Sequence, residues 1–390
     1  MNEKYKIWIL AGEASGDIYG ARLSEEIRKL TAGKTSVSIS GMGGPEMKKA
    51  GVDILVDSTE LGVVGLFEIG MMIFKFIGIF RYLERKAAEE KPDAVILVDY
   101  PGFNIRFAKS MYKKGIPVIW YISPQVWAWR KSNIPKLAKY CAKMLVIFPF
   151  EPETYKGTGL DVEFTGHPLV DVVAERGDAS IERQLDTVLL LPGSRGGEIK
   201  RLLVPMLETV SLLKKKNSAL KFVISAPNEK IFSMVREMYD DFQRKNPDLP
   251  GIEISCGRTA YWQQAAGTGL AASGTVTVEC AIAGLPLVVV YKLNPFTFLL
   301  ARMLITLFRG FFTMVNIIAY KVVFEEFLQK NVRAELLVPA MERIMPGGAR
   351  REDVEKDMLS VKDALSAGSK GASFRAAEAC VDFFSSGKLK

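Results

Sequence analysis

YKIWILAGEASGD, residues 5–17, is an apolar run that stops on glycine, turns through small residues and opens a helix. A short apolar run that ends in Gly, Ser or Pro and passes into a polar, helical stretch is the unit from which parallel sheets are built. The pattern recurs at Val37 to Gly41, Ala94 to Tyr100, Val118 to Ser123, Met144 to Phe150 and Val162 to Gly166. After the polar stretch Ala174 to Asp186 a second series follows: Thr187 to Leu191, Phe222 to Ala226, Ile252 to Cys256, Leu270 to Ser273 and Leu287 to Tyr291. The expectation is an α/β protein of two Rossmann-like, doubly wound domains facing a cleft, with ligand sites beyond the carboxyl ends of the strands. The boundary is expected near residue 170, giving residues 1–170 and 171–346, with 347–390 as helices packing back on the body.

At 390 residues the chain exceeds what one core usually organises, which agrees with two domains. The net charge of +8 points to anionic partners: nucleotide phosphates, phosphorylated substrates or anionic lipid headgroups. Nucleic acid is not expected, because the basic residues are scattered and no groove-reading motif occurs. Cys141, Cys256, Cys280 and Cys380 are far apart and read as reduced thiols; with His167 the only histidine, a His-rich metal site cannot be built. The first residues lack a signal-peptide pattern, so the protein is expected in the cytoplasm.

Two apolar stretches interrupt the strand–helix alternation. LGVVGLFEIGMMIFKFIGIF, from Leu61 to Phe80, carries Phe67, Met71, Met72, Phe74 and Phe76, yet Glu68 and Lys75 lie seven apart on one helical face. A polar stripe on an apolar helix suits the surface of a bilayer rather than a span, and a buried core helix is the competing reading. PFTFLLARMLITLFRGFF, from Pro295 to Phe312, places Arg302 and Arg309 at the same spacing, which suits an anionic membrane surface or, equally, a homodimer contact.

The chemistry is expected in the loops. In Ala11 to Asp17, free backbone N–H groups at a helix start favour an anion or sugar hydroxyls, and the absence of Gly at position 14 breaks the dinucleotide fingerprint. In VDYPGFN, Asp99 ends an otherwise apolar strand, as either a helix cap or a general base whose surroundings raise its pKa. Gly193, Ser194 and Arg195 end another strand before Glu198, and a guanidinium beside backbone N–H groups makes a phosphate clamp that needs no metal. Ser273, Gly274 and Thr275 again join strand to helix, with Glu279 read as lying on that helix's first turn and reaching a ribose.

Taken together, AGEASGD, GMGGPEM, VDYPGFN, YISPQVWAWR, FPFEPETY, FTGHPLVD, LPGSRGGEI, SGTVTVECAIAGLPLVVVYK and VNIIA followed by EEFLQ resemble the lipid-A-disaccharide synthases from about residue 5 to about residue 345. The resemblance implies the GT-B arrangement and an inverting glycosyltransferase without cofactor or metal. It implies transfer from UDP-2,3-diacylglucosamine to 2,3-diacylglucosamine 1-phosphate (lipid X), giving a β-1,6-linked disaccharide 1-phosphate and UDP, at the cytoplasmic surface of the inner membrane. Asp99 is then the base and Arg195 the diphosphate clamp. Gly193, Ser194, Ser273, Gly274, Thr275, Glu279, Asn316, Glu326 and Gln329 become donor contacts, and Glu13, Ser15, Gly16 and Asp17 line the acceptor side. A UDP-N-acetylglucosamine 2-epimerase or a peptidoglycan-type UDP-sugar transferase of the same fold is the alternative.

Overall fold

The computed structural model describes residues 4–61, 69–129, 131–292 and 310–386. It divides into two compact units: Met1–Asp171 with Leu365–Lys390, and Val172–Ala364. Among the described residues the first unit holds β1 (Lys4–Ala11), β2 (Ser36–Gly43), β3 (Asp53–Asp57), β4 (Ala94–Val98), β5 (Val118–Tyr121), β6 (Lys143–Val146) and β7 (Asp161–Phe164). They form one parallel sheet in the order β3-β2-β1-β4-β5-β6-β7. The strands read as continuous apolar runs because helices cover both faces: every residue of β4, AVILV, is buried. Trp8, Leu97, Phe107, Met111 and Trp120 pack into one core on one side of this sheet.

The second unit holds β8 (Gln184–Leu191), β9 (Lys221–Ala226), β10 (Glu253–Cys256), β11 (Ala266–Ala272), β12 (Leu287–Tyr291) and β13 (Glu325–Leu328), parallel in the order β10-β9-β8-β11-β12-β13. In both sheets the winding reverses beside the first strand, between β1 and β4 and between β8 and β11. A reversal of this kind splays the following loops apart and opens a crevice for ligands at the carboxyl ends of the strands.

Three features depart from the sequence reading. Edge strands β3 and β13 were not anticipated, since DILVD and EEFL carry acids where a buried strand would not. β13 tolerates Glu325 because Arg343 Nε donates to it at 2.9 Å and Arg350 Nη1 at 3.3 Å. The helices of the tail from residue 347 are also divided between the two units. Arg351, opening the helix Arg351–Ser366, is buried in the second unit, where Nη1 donates to the Gly267 carbonyl at 2.6 Å and that of Ile344 at 3.1 Å. The final helix, Ala372–Ser385, belongs to the first unit and packs on the helix Ala14–Thr31. Asp171 caps its start, accepting the N–H groups of Ala372 at 3.1 Å and Ser373 at 2.8 Å.

Candidate active site

In the first unit the reversal is flanked by the loop after β1 and the turn after β4. Glu13 and Ser15 are exposed at the start of the helix Ala14–Thr31, which has no side-chain cap, while Gly16 is buried within it. Gly12 is required by close approach: a Cβ there would stand 2.1 Å from the ring of Tyr100. Asp99 follows the apolar β4 with its backbone N–H bonded to the Tyr121 carbonyl at 3.0 Å. Burial, and then the charge of Glu13, push its carboxyl up to about 6. An acid titrating there is ionised at neutral pH yet basic enough to take a proton from a hydroxyl as that hydroxyl reacts.

Asp17 has a different task from the one expected. Its carboxylate accepts the N–H groups of Gly44 at 2.7 Å, Glu46 at 2.9 Å and Met47 at 3.0 Å, capping the short helix Pro45–Lys49. Three backbone donors leave it little capacity for a sugar.

Beyond β5 and β6 lies a buried group that the sequence reading passed over. Glu151 is fully buried, and its carboxylate accepts the N–H groups of Ile147 at 3.1 Å and Phe148 at 2.9 Å and the indole N–H of Trp127 at 3.2 Å. Burial raises its pKa to about 7 against these bonds. The available signal was an acid set between aromatic residues and proline in FPFEP. Trp127 is thereby a core residue. His167 is likewise internal: Nδ1 accepts the Leu169 N–H at 3.1 Å, and burial pushes its pKa down to about 4, so it is neutral.

In the second unit the reversal is flanked by Gly193, Ser194 and Arg195 after β8 and by Ser273, Gly274 and Thr275 after β11. Arg195 is the N-cap of the helix Gly196–Lys216, with its side chain 85% exposed and Nη1 3.9 Å from Glu198, so the guanidinium is available to an anion. Gly193 adopts φ 115°, and a Cβ there would meet the Glu198 carboxylate at 2.7 Å. Gly274 precedes the helix Thr275–Ile282 without a side-chain cap, another start whose N–H groups suit a phosphate. Glu279 is the fifth residue of this helix rather than part of its first turn, and one carboxylate oxygen accepts from Gln263 Nε2 at 3.0 Å.

Asn316 and Glu326 are brought together, but on each other. Glu326 accepts the Thr313 N–H at 2.9 Å, its hydroxyl at 2.6 Å and Asn316 Nδ2 at 2.8 Å, and burial raises its pKa. Asn316 Nδ2 also donates to the Phe324 carbonyl at 2.8 Å, and Oδ1 accepts the N–H groups of Val323 and Phe324, both at 2.9 Å. This network fixes the loop before β13. Direct donor contact through the Asn316 side chain, expected from the resemblance, has no capacity left. Gln329 follows β13 with φ 51°.

Among the described residues no helix is long and apolar enough to cross a membrane. Phe67, Arg302 and Arg309 lie outside the described residues, as do the side chains of Met71 and Met72. On the helix Ile69–Glu90, Phe74 is 77% and Ile77 42% exposed. Phe76 packs inward with Phe80, their rings 5.8 and 5.5 Å from Phe103.

Two sheets of Rossmann order, one with a raised-pKa acid at its reversal and the other with an exposed arginine and uncapped helix starts, define the nucleotide-sugar enzymes of GT-B type. Solved structures agree on the fold. UDP-GlcNAc 2-epimerase from Neisseria meningitidis bound to UDP-GlcNAc aligns with a TM-score of 0.61 at 12% identity, covering 98% of this chain and 100% of that one. UGT73P12 of Glycyrrhiza uralensis, complexed with glycyrrhetinic acid 3-O-monoglucuronide, aligns at 0.64 and 12%, covering 100% and 97%. The chain itself belongs to the family described as Lipid-A-disaccharide synthetase, whose model matches residues 7–379, and it is a glycosyltransferase. Lipid-A-disaccharide synthase of Syntrophus aciditrophicus (strain SB) is 37% identical over 384 residues, 97% of each chain. That of Koribacter versatilis (strain Ellin345) is 36% identical over 371 residues, 93% of this chain and 94% of the relative. The likeness to epimerases extends to the fold alone.

Proposed function

We propose that this chain joins UDP-2,3-diacylglucosamine to 2,3-diacylglucosamine 1-phosphate by a single displacement with Asp99 as base. The observation that carries this is the position of Asp99 at the end of β4, with its pKa raised to about 6 by burial and by Glu13. The acceptor 6-hydroxyl gives its proton to Asp99 as its oxygen bonds to the anomeric carbon. The bond from that carbon to UDP breaks, the electron pair leaves with the diphosphate, and the configuration inverts. Charge developing on the diphosphate is met by Arg195 and by the helix start at Ser273, Gly274 and Thr275. Glu279, anchored on one oxygen by Gln263, has its other oxygen for the ribose. Glu13, Ser15 and Gly16 form the acceptor side.

The outward Phe74 and Ile77 support a peripheral position on an anionic bilayer at the cytoplasmic surface, where acyl chains stay in lipid while the sugars reach the loops. The test is UDP release from UDP-2,3-diacylglucosamine with and without the 1-phosphate acceptor. Release should require the acceptor and continue in excess EDTA. UDP release without acceptor would sink the transfer reading, and a rate lost in EDTA and restored by magnesium would sink the role given to Arg195.

A further inference from the structure

The acid at the end of β4 stands on backbone that two successive residues hold in the left-handed region, Asp99 at φ 45° and Tyr100 at φ 51°. Neither is glycine, so the conformation costs free energy and persists only where its surroundings over-determine it. Three contacts do so. The Asp99 N–H donates to the Tyr121 carbonyl on β5 at 3.0 Å. The Tyr100 ring lies against Gly12, in space that a Cβ would need. The third contact is Asn104.

Asn104 sits in the first turn of the helix Pro101–Lys113, with its N–H bonded to the Tyr100 carbonyl at 3.0 Å. From there its side chain reaches back to the strand. Nδ2 donates to the Asp99 carbonyl at 2.7 Å and to that of Val98 at 3.3 Å, the two carbonyls that flank the acid's Cα on the strand side and the turn side. The residue is completely buried, and its Oδ1 has no hydrogen-bond partner among the described residues. Burying an amide with an unmet acceptor works against folding, and an apolar side chain in the same space would avoid that cost. A residue whose burial is unfavourable, and whose two donated bonds end on the carbonyls either side of the acid's Cα, is placed for the acid.

We propose that Asn104 is the positioning residue of the reaction, holding the left-handed turn that presents the Asp99 carboxylate to the acceptor hydroxyl. This rests on the reading of Asp99 as base. It makes Asn104 act through Asp99 alone, so the two should couple fully.

The experiment is a double-mutant cycle in kcat, with KM for both substrates and the pH profile, on Asn104→Ala, Asn104→Ser, Asp99→Asn and the two double variants. Each Asn104 variant should lower kcat by about 10- to 100-fold, the scale of an ångström's misplacement, with KM changed by less than about twofold. The acidic limb of kcat should move to lower pH as the released carboxylate gains solvent. In the Asp99→Asn background the same substitutions should change kcat by less than about twofold. Should Asn104→Ala fail to fold, Asn104→Ser carries every comparison. Wild-type kcat and an unmoved acidic limb in a folded Asn104 variant would overturn the proposal while leaving Asp99 in place, as would equal losses in both backgrounds. Full turnover by Asp99→Asn alone would instead remove the reading on which the proposal stands.

Discussion

At the scale of single residues, strand-end position was readable and side-chain occupation was not. Asp99 and Arg195 were found from their place after an apolar run, a local property of the chain. Asp17, Asn316 and Glu326 were assigned to substrate, yet their polar atoms are bonded to groups that only folding brings near. Asp99 makes two residue-level predictions. Asp99→Asn should leave UDP affinity nearly unchanged and lower turnover about 100-fold or more, measured by UDP release. Its effect on stability should have the opposite sign. An acid raised to about 6 in the fold, against an ordinary value near 4, binds its proton more tightly folded than unfolded. Its contribution is therefore fully present below about pH 4 and lost as pH rises through about 6. Asparagine never ionises, so the variant should melt above wild type at pH 8 and lose that advantage below about pH 4, read by thermal denaturation across pH. A third residue-level prediction concerns Gly12. Gly12→Ala must displace the Tyr100 ring and should cost about 1–3 kcal/mol, the usual cost of overpacking, seen as a lower urea midpoint.

At the scale of elements, the helix Ile69–Glu90 carries two apolar stripes that meet different surroundings. Phe76 and Phe80, four apart, turn inward onto Phe103, and Phe80 also meets Phe107 at 5.8 Å. Phe74 and Ile77, three apart, face outward. Apolar residues alone cannot say which stripe meets the sheet when both stripes are apolar. Phe74→Ser with Ile77→Ser should therefore leave the unfolding free energy from urea titration within about 0.5 kcal/mol of wild type, as for other exposed sites. The same pair should reduce co-sedimentation with anionic vesicles. Phe80→Ser should instead destabilise by several kcal/mol, about 3–5, as for large-to-small changes of a packed aromatic. Equal losses of stability from the two substitutions would refute this assignment of faces. Edge strand β13 carries a parallel lesson: Glu325 and Glu326 hid it, and Arg343, Thr313 and Asn316 make it possible.

At the scale of the whole molecule, the chain leaves its first unit after Asp171 and returns at Leu365. The terminal helix brings Ala376, Cys380 and Phe383 into burial against that unit, and Asp171 caps it across 201 and 202 positions of sequence. A chain ending at Ala364 should keep the protease resistance of residues 172–364 while residues 1–171 become readily cleaved, measured by limited proteolysis and mass spectrometry. Equal protection of both parts would show that the terminal helix is dispensable. The two doubly wound sheets, the loops at their reversals, the acid after β4 and the arginine after β8 were determined by the sequence alone, because apolar periodicity and strand-end position are local properties. Only the tertiary structure decided the two edge strands, the division of the tail, the inward turn of Phe76 and the employment of each polar group. Asp17 finds its donors 27 to 30 residues away, and those of Asp171 lie some two hundred residues away. Whether a carboxylate is free for substrate depends on which backbone groups the fold brings within hydrogen-bond reach, and no local pattern in the chain encodes that.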